Sequence, residues 1–317
     1  MIRILLALAL LGAGSAGAGD FPERPVLVVA PYAAGGGLDT ITRTLAARLT
    51  AIWGQQVIVE NRPGAGATIG TAAIAKAKPD GYTLLVASTP LGIAPVVYPN
   101  LAYDARRDFM PVALIGTTPE VLVVNPQLGV GTPGELVALG KKSSHALNFG
   151  SAGSGTLAHL AAAAFNNRAA LGGAHIPYKG SNPALLDLIG GQIDWLFDTP
   201  SAVMQHARAG RLRALAIAAP QRSPQMPAIP TLAESGFPDM DYRIWMGLLA
   251  PAGTPETAVR AIETAIAGAM RDDALRANLT GQGWDIVGSL SSDFASFLDK
   301  ELPKLGSAAR AAGIRAD

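Results

Sequence analysis

The stretch Pro31-Tyr32-Ala33-Ala34-Gly35-Gly36-Gly37-Leu38-Asp39 is a glycine-rich turn between a short apolar segment and a run of apolar residues at helical spacing. A second stretch, Gly150-Ser151-Ala152-Gly153-Ser154-Gly155-Thr156, has the same setting more than a hundred residues later. Each pattern is typical of a buried strand that turns into a helix. Strands that alternate with helices in this way predict an α/β protein with mainly parallel sheets flanked by helices.

Both turns are predicted to bind a ligand through their backbones. The start of a helix offers N–H groups without intrahelical partners and the positive end of the helix dipole. Glycine allows a ligand to approach those amides closely. Because ligands of open α/β sheets bind at the carboxyl ends of the strands, two such starts in different halves of the chain predict one anionic ligand held between two lobes.

The chain is long enough for two domains of ordinary size. Two stretches, 112–124 and 242–249, are predicted to carry the chain between the lobes as a two-strand hinge. This places 19–118 and 248–317 in a first lobe and 119–247 in a second. The architecture expected from this division is two-lobed.

Composition excludes several classes of function. The 25 basic and 24 acidic residues nearly cancel, whereas binding of nucleic acid or of an anionic membrane demands a basic face. Apolar residues make up 49 % and charged residues 15 % of the chain, which indicates a large core. The absence of cysteine excludes disulfides and a lipid-anchoring thiol. We expect a monomer that is not inserted in a membrane.

The first 18 residues are interpreted as a secretory signal peptide. Arg3 supplies a minimal positive region, residues 4–11 are apolar, and Ala16-Gly17-Ala18 fits the small-x-small cleavage rule. The apolar run is too short to span a bilayer, which takes about 20 residues. Cleavage near Ala18 would leave Gly19 or Asp20 at the start of the mature protein, which is expected to be exported.

Polar residues at other strand ends are expected to face the same cleft. Ser88 and Thr89 follow a predicted strand at residues 83–87, and Asp198 follows another at residues 195–197. Asp39 is expected to cap the first helix through its carboxylate. The predicted ligand-binding residues are Ala34, Gly35, Gly36, Gly37, Asp39, Ser88, Thr89, Ser151, Ala152, Gly153, Ser154, Gly155, Thr156 and Asp198.

Catalysis is a weaker interpretation. The second turn has the glycine spacing of a P-loop, but Thr156 stands where the lysine is required. No serine lies in a G-x-S-x-G elbow. A hydrolase or phosphate-handling enzyme would have to use Ser151 or Ser154 with His159, which a structural role in orienting the loop explains as well. We expect no metal or cofactor, since histidines are scattered and acidic residues do not cluster.

The order of several motifs resembles a known family. The motifs are Glu60-Asn61-Arg62-Pro63-Gly64-Ala65-Gly66, Pro79-Asp80-Gly81-Tyr82-Thr83, Pro177-Tyr178-Lys179-Gly180, Gly190-Gly191-Gln192-Ile193-Asp194 and Pro230-Thr231-Leu232-Ala233-Glu234-Ser235-Gly236. With the two glycine turns, they cover essentially the whole mature chain. In this pattern the sequence is similar to the Bug family, the substrate-binding proteins of tripartite tricarboxylate transporters.

The resemblance implies a periplasmic, two-lobed binding protein of type II-like fold that closes on a small carboxylate as a Venus flytrap. It also implies that this receptor hands the carboxylate to a permease made of a large and a small membrane subunit. It implies that one ligand carboxylate sits against the two glycine loops, at residues 34–39 and 151–156, and that Ser88, Thr89 and Asp198 line the cleft. Leu38 departs from the small polar residue often found before the aspartate, which indicates a more apolar distal pocket. A role as a ligand-presenting subunit for a sensor kinase is an alternative that the sequence leaves open.

Overall fold

A computed structural model of the protein describes residues 21–143 and 146–314. The predicted signal peptide lies outside the described residues. Within the described ranges, no helix combines the length and the apolar character needed to cross a membrane.

The first third of the chain alternates strands and helices as predicted. The elements are β1 (Val26–Ala30), α1 (Gly37–Trp53), β2 (Val57–Asn61), α2 (Thr68–Ala75), β3 (Thr83–Ala87) and α3 (Pro90–Val97). Strand β1 pairs in parallel with β2 on one side and with β3 on the other. Helix α1 ends where Gly54 adopts a left-handed conformation, which glycine accommodates without strain.

The middle of the chain repeats this order. A long strand, β4 (Phe109–Val124), leads to a 3-10 turn at Pro126–Leu128. It is followed by α4 (Pro133–Lys142), β5 (Phe149–Ser151), α5 (Leu157–Ala169), β6 (His175–Pro177), α6 (Ser181–Ile189), β7 (Trp195–Asp198), α7 (Pro200–Arg208) and β8 (Arg213–Ala218). Strand β5 pairs in parallel with both β6 and β7. The chain then forms β9 (Arg243–Pro251), α8 (Glu256–Ala269), α9 (Asp273–Gly281), β10 (Asp285–Ile286) and α10 (Ser291–Ala311).

Strand β4 belongs to both sheets. From Phe109 to Pro119 it pairs with β9, and from Glu120 to Val124 it pairs with β8 and β7. The parallel trios β2-β1-β3 and β6-β5-β7 are therefore joined by antiparallel strands. Strand β4 runs from one set of strands to the other, whereas β9 pairs only with β3 and with residues 109–119 of β4. The architecture is the two-lobed α/β fold expected.

The last helix contacts both halves of the molecule. Phe294 at its start packs against Trp245 of β9, with ring centroids 5.8 Å apart. At its end, Leu305 and Ala309 lie in the same hydrophobic cluster as Phe165 of α5, and Ile314 after the helix joins them. The C-terminal segment thus buries apolar surface against each sheet, which stabilises their arrangement.

Candidate functional site

A cavity of about 460 Å³ lies where the two halves of the molecule meet. The first half contributes Tyr32 and Leu38 around the first glycine turn and Ser88 and Thr89 after β3. The second half contributes Ala152, Ser154, Gly155 and Thr156, together with Asp198, Thr199 and Ser181. Apolar side chains, among them Ile93, Val97, Leu157 and Ile244, line much of the remaining wall. The cavity therefore combines an apolar body with polar groups at helix starts.

Helix α1 presents unpartnered amides at its first turn. The backbone N–H groups of Gly37, Leu38 and Asp39 form no hydrogen bond with another described residue. The N-cap residue, Gly36, has no side chain that could satisfy them. Leu38 lines the cavity, so this helix start offers free donors and positive dipole charge near the cavity wall.

Helix α5 also presents unpartnered amides at its first turn, from the other half of the molecule. Its first two amides, those of Leu157 and Ala158, have no hydrogen-bond partner in the described part of the chain, and both residues line the cavity. Thr156 caps the next amide by accepting a hydrogen bond from His159 N–H at 3.3 Å. The two free amides and the helix dipole suit a negatively charged group.

Hydrogen bonds within the second turn hold its shape. Ser151 Oγ accepts a hydrogen bond from Gly153 N–H at 3.2 Å and lies 2.7 Å from His175 Nε2. His159 Nδ1 accepts from Gly155 N–H at 3.2 Å, and its ring stacks on that of His175 at 3.7 Å. Burial, together with His175, lowers the pKa of His159 to about 4. His159 is therefore neutral at pH 7 and orients the loop, one of the two roles the sequence suggested.

Asp39 does not cap the first helix as expected. Its carboxylate instead accepts hydrogen bonds from Gly35 N–H at 2.8 Å, from Asn61 Nδ2 at 2.8 Å and from Arg43 Nε at 3.1 Å. Asp39 lies in the third position of α1, and the glycine turn folds back over the helix start, so the amide that reaches the carboxylate belongs to the turn. Asp39 thus fixes the turn from beneath.

We expect Asp39→Asn to destabilise the protein by about 1–3 kcal/mol at pH 7, because an amide cannot accept all three bonds. Burial alone would raise the pKa of Asp39, but the hydrogen bonds from Gly35, Asn61 and Arg43 outweigh it and lower the pKa below 3.8. The carboxylate therefore contributes fully to the free energy of unfolding above about pH 4, and this contribution is lost as the pH falls below that value. Urea unfolding at pH 7 and at about pH 3.5 should show a smaller difference between wild type and variant at the lower pH. An equal difference at both would contradict this role.

The fourteen predicted site residues fall into two groups. Seven of them, Ser88, Thr89, Ala152, Ser154, Gly155, Thr156 and Asp198, line the cavity. The other seven, Ala34, Gly35, Gly36, Gly37, Asp39, Ser151 and Gly153, belong to the two turns but do not line it. Of these, Gly35, Gly36 and Gly37 are exposed, whereas Asp39 and Ser151 are buried and bonded within their turns. Their role in binding remains a prediction.

Sequence reasoning missed five polar residues that line the cavity: Tyr32, Tyr98, Glu120, Ser181 and Thr199. Glu120 left a readable signal, because it is the one acidic residue in the otherwise apolar or uncharged stretch that forms β4. Ser181 donates a hydrogen bond to Asp198 Oδ1 at 3.1 Å, and Thr199 N–H donates to the same oxygen at 2.8 Å. These bonds link Asp198 to the starts of α6 and α7.

Burial dominates the titration of the cavity's acids. It raises the pKa of Glu120 well above its ordinary value of 4.5, and the nearby Asp198 charge raises it further. Burial also raises the pKa of Asp198, although the hydrogen bonds from Thr199 and Ser181 oppose this. Burial likewise raises the pKa of the Tyr32 phenol, and the nearby Ser88 hydroxyl opposes that rise. The Tyr32 and Ser88 hydroxyl groups form no well-aligned hydrogen bond with each other.

Comparison with known proteins identifies relatives along nearly the whole chain. Residues 41–314 match the model of the tripartite tricarboxylate transporter family receptor, TctC. The chain is 35% identical to protein BugT of Bordetella pertussis over 317 residues, which cover 99% of this chain and 97% of BugT.

Solved structures agree with this match. The protein is similar to Rpa4515 of R. palustris with adipate, at 31% identity and a TM-score of 0.79, over 93% of this chain and 99% of that one. It is also similar to MatC of Rhodopseudomonas palustris with bound malate, at 32% identity and a TM-score of 0.75, over 91% and 100% of the two chains. The cavity with helix starts on both sides, the family match and the relatives lead to one conclusion: this chain belongs to the tripartite tricarboxylate transporter receptor family, which includes the Bug proteins.

Proposed function

We propose that this protein is a periplasmic receptor that captures a small carboxylate between its two lobes. The observation that carries the proposal is the pair of helix starts, α1 and α5, whose free amides flank a single cavity. A carboxylate that accepts charge-assisted hydrogen bonds from such amides gains roughly 1.5–3 kcal/mol per bond. After the costs of association, an affinity on the order of micromolar is expected.

We further propose that the lobes are residues 19–118 with 248–317 and residues 119–247, and that they move about β4 and β9. Support comes from the change of pairing partner within β4 between Pro119 and Glu120. Closure would bring the exposed glycines of the first turn towards the amides of α5. The ligand carboxylate would then accept hydrogen bonds from both helix starts.

The relatives support the choice of ligand class, since one is known with adipate and another with malate. Membership of the family supports delivery to a permease with a large and a small membrane subunit. A ligand-presenting role for a sensor kinase would use the same binding step. Uptake of the bound carboxylate in cells, lost on deletion of the permease subunits, separates transport from sensing.

Titration calorimetry with the mature protein and a panel of mono- and dicarboxylates tests the binding step. We expect one saturable site with about 1:1 stoichiometry, and no binding of the corresponding amides or methyl esters, which lack the negative charge. Binding of neutral analogues as tightly as of the acids would contradict the role of the helix starts.

The enzymatic alternative would use Ser154 as a nucleophile and His159 as its base. In the described structure, His159 Nδ1 instead accepts a hydrogen bond from the loop amide of Gly155, and no hydrogen bond joins it to Ser154. Ser154→Ala therefore serves as a test. We expect it to bind carboxylates as the wild type does, and we expect neither protein to turn over ester or phosphoester substrates. Turnover that is lost in Ser154→Ala would support a hydrolase.

A further inference from the structure

Glu120 is a buried acid without a partner among the described residues. It lies in β4 at the point where the strand passes from β9 to β8 and β7, and its side chain is one of the groups that line the cavity. Only 2% of the residue is exposed, and no described residue donates a hydrogen bond to its Oε2 atom. Burial of a carboxyl group without such a bond is costly, so this residue calls for a ligand-based explanation.

The cavity supplies no cation to Glu120. Its other titratable lining residues are Asp198 at the end of β7, Tyr32 after β1 and Tyr98 after α3, and no lysine, arginine or histidine of the described chain lines it. Arg243 lies on β9, opposite the neighbouring residue Pro119, but it is engaged by both oxygens of Asp241 at 2.7 and 2.8 Å.

Asp198 provides an internal comparison. Its carboxylate accepts hydrogen bonds from Ser181 and from the amide of Thr199, which accounts for its burial without any ligand. Glu120 has no comparable donors in the described structure. The unsatisfied acid in the cavity is therefore Glu120, and a ligand that brings a donor to it would stabilise it.

We infer that the ligand of this receptor carries a protonated amine as well as a carboxylate, and that Glu120 binds the amine. The carboxylate would accept hydrogen bonds from the amides of the helix starts, and the apolar wall around Ile93, Val97 and Ile244 would contact the body of the molecule. This inference rests on the proposed carboxylate-binding function and narrows it to amino carboxylates.

A dicarboxylate would use Glu120 differently, and pH separates the two cases. Burial raises the pKa of unliganded Glu120 and an adjacent ammonium group would lower it, so an amino carboxylate binds with release of protons. Its affinity then increases with pH. A second carboxylate would instead need a protonated Glu120 as donor, so the affinity of a dicarboxylate would fall with pH. Asp198 is the charged neighbour that acts on Glu120, and it is present in both cases.

Matched probes make the test sharp. Titration calorimetry compares 6-aminohexanoate, adipate and hexanoate, and then 4-(aminomethyl)benzoate, terephthalate and 4-methylbenzoate, at about pH 6 and pH 8. In each set the carboxylate and the body stay nearly the same and only the second group changes. We expect the amine to bind at least about tenfold more tightly than its two companions in at least one set, and more tightly at the higher pH.

Glu120→Gln should remove this preference. We expect the affinity for the amine to fall about tenfold or more and the affinity for the monocarboxylate to change less than about threefold. The pH dependence of amine binding should disappear. Glu256→Gln changes an exposed glutamate of α8 that is not among the cavity-lining residues, and it should leave all affinities unchanged. Circular dichroism and thermal unfolding verify the fold of each variant, and Glu120→Met provides a second neutral side chain of similar length.

The possible results are distinguishable. If a dicarboxylate or monocarboxylate binds more tightly than the amine in both sets, measured on the wild type alone, the inference is overturned and the carboxylate receptor stays intact. An amine preference that persists in both Glu120 variants would also overturn it, because Glu120 would then not be its cause. If none of the six probes binds, the carboxylate-binding function itself is contradicted.

Discussion

Ser154→Trp is expected to weaken carboxylate binding by about 100-fold or more, which corresponds to about 2.7 kcal/mol or more. Ser154 is exposed in the second glycine turn and lines the cavity three residues before Leu157, the first residue of α5. An indole at this position would occupy the space in front of the Leu157 and Ala158 amides and would prevent a carboxylate from reaching them. Because the position is exposed, the fold should tolerate the larger side chain.

The measurement is titration calorimetry with the tightest ligand found for the wild type, and unfolding in urea monitors stability. Ser154→Ala is the matched control, with an expected change in affinity of less than about threefold. Gly153 is unsuitable for such a blocking substitution, because its φ is +142° and a Cβ atom added there would lie 3.3 Å from the Tyr178 carbonyl oxygen, which would strain the turn itself. A Ser154→Trp protein that is folded and binds as the wild type does would refute the proposed site.

Among the variants proposed for this protein, Gly247→Ala is expected to cause the largest loss of stability. Gly247 lies in β9, and a methyl group there would sit 2.1 Å from Cζ of Phe294 in α10. The Phe294 side chain is completely buried. The backbone of β9 is held by pairing with β3 and β4, so the ring would have to move. Overpacking of this kind costs about 1–3 kcal/mol and occasionally more. Because this contact is so short, we expect a loss of stability near the upper end of that range.

Urea unfolding of two further variants gives this prediction its controls. Gly268→Ala places a methyl group in α8, where the nearest atom is Ile52 Cδ1 at 3.8 Å, and should stabilise the protein by about 0.5–1 kcal/mol. Phe294→Leu should recover part of the loss in Gly247→Ala, since it shortens the side chain that clashes. Additive effects of Gly247→Ala and Phe294→Leu would show that the clash is not the cause.

Local chemistry was sufficient to predict the order of the elements. The sequence predicted β1 and β3 at residues 26–30 and 83–87 because their apolar runs are bounded by turn residues. The predicted crossings between the lobes, at residues 112–124 and 242–249, coincide with β4 and β9 and stay a prediction. Such signals are readable because hydrophobic periodicity and glycine or proline turns act over a few neighbouring residues.

The candidate site was predictable only in part. The glycine turns before α1 and α5 identify helix starts, so the free amides of Leu157 and Ala158 follow from local sequence. The bonding of Asp39 to the turn amide of Gly35 did not follow, because it depends on how the turn folds back over the helix. The sequence places an acid in β4 but does not indicate what surrounds it.

By itself, the sequence determined the alternating elements, the two glycine turns and the near balance of charge. Only the tertiary structure decided that Glu120 lines the same cavity as Ser88 and Asp198, because strand pairings between residues far apart in the chain bring them together. It also decided that, among the described residues, Asp198 has donors and Glu120 has none, a difference that sets the chemistry of the cavity. The physical reason is that burial and electrostatic surroundings are properties of the packed chain, whereas periodicity and turn preference are properties of its neighbouring residues.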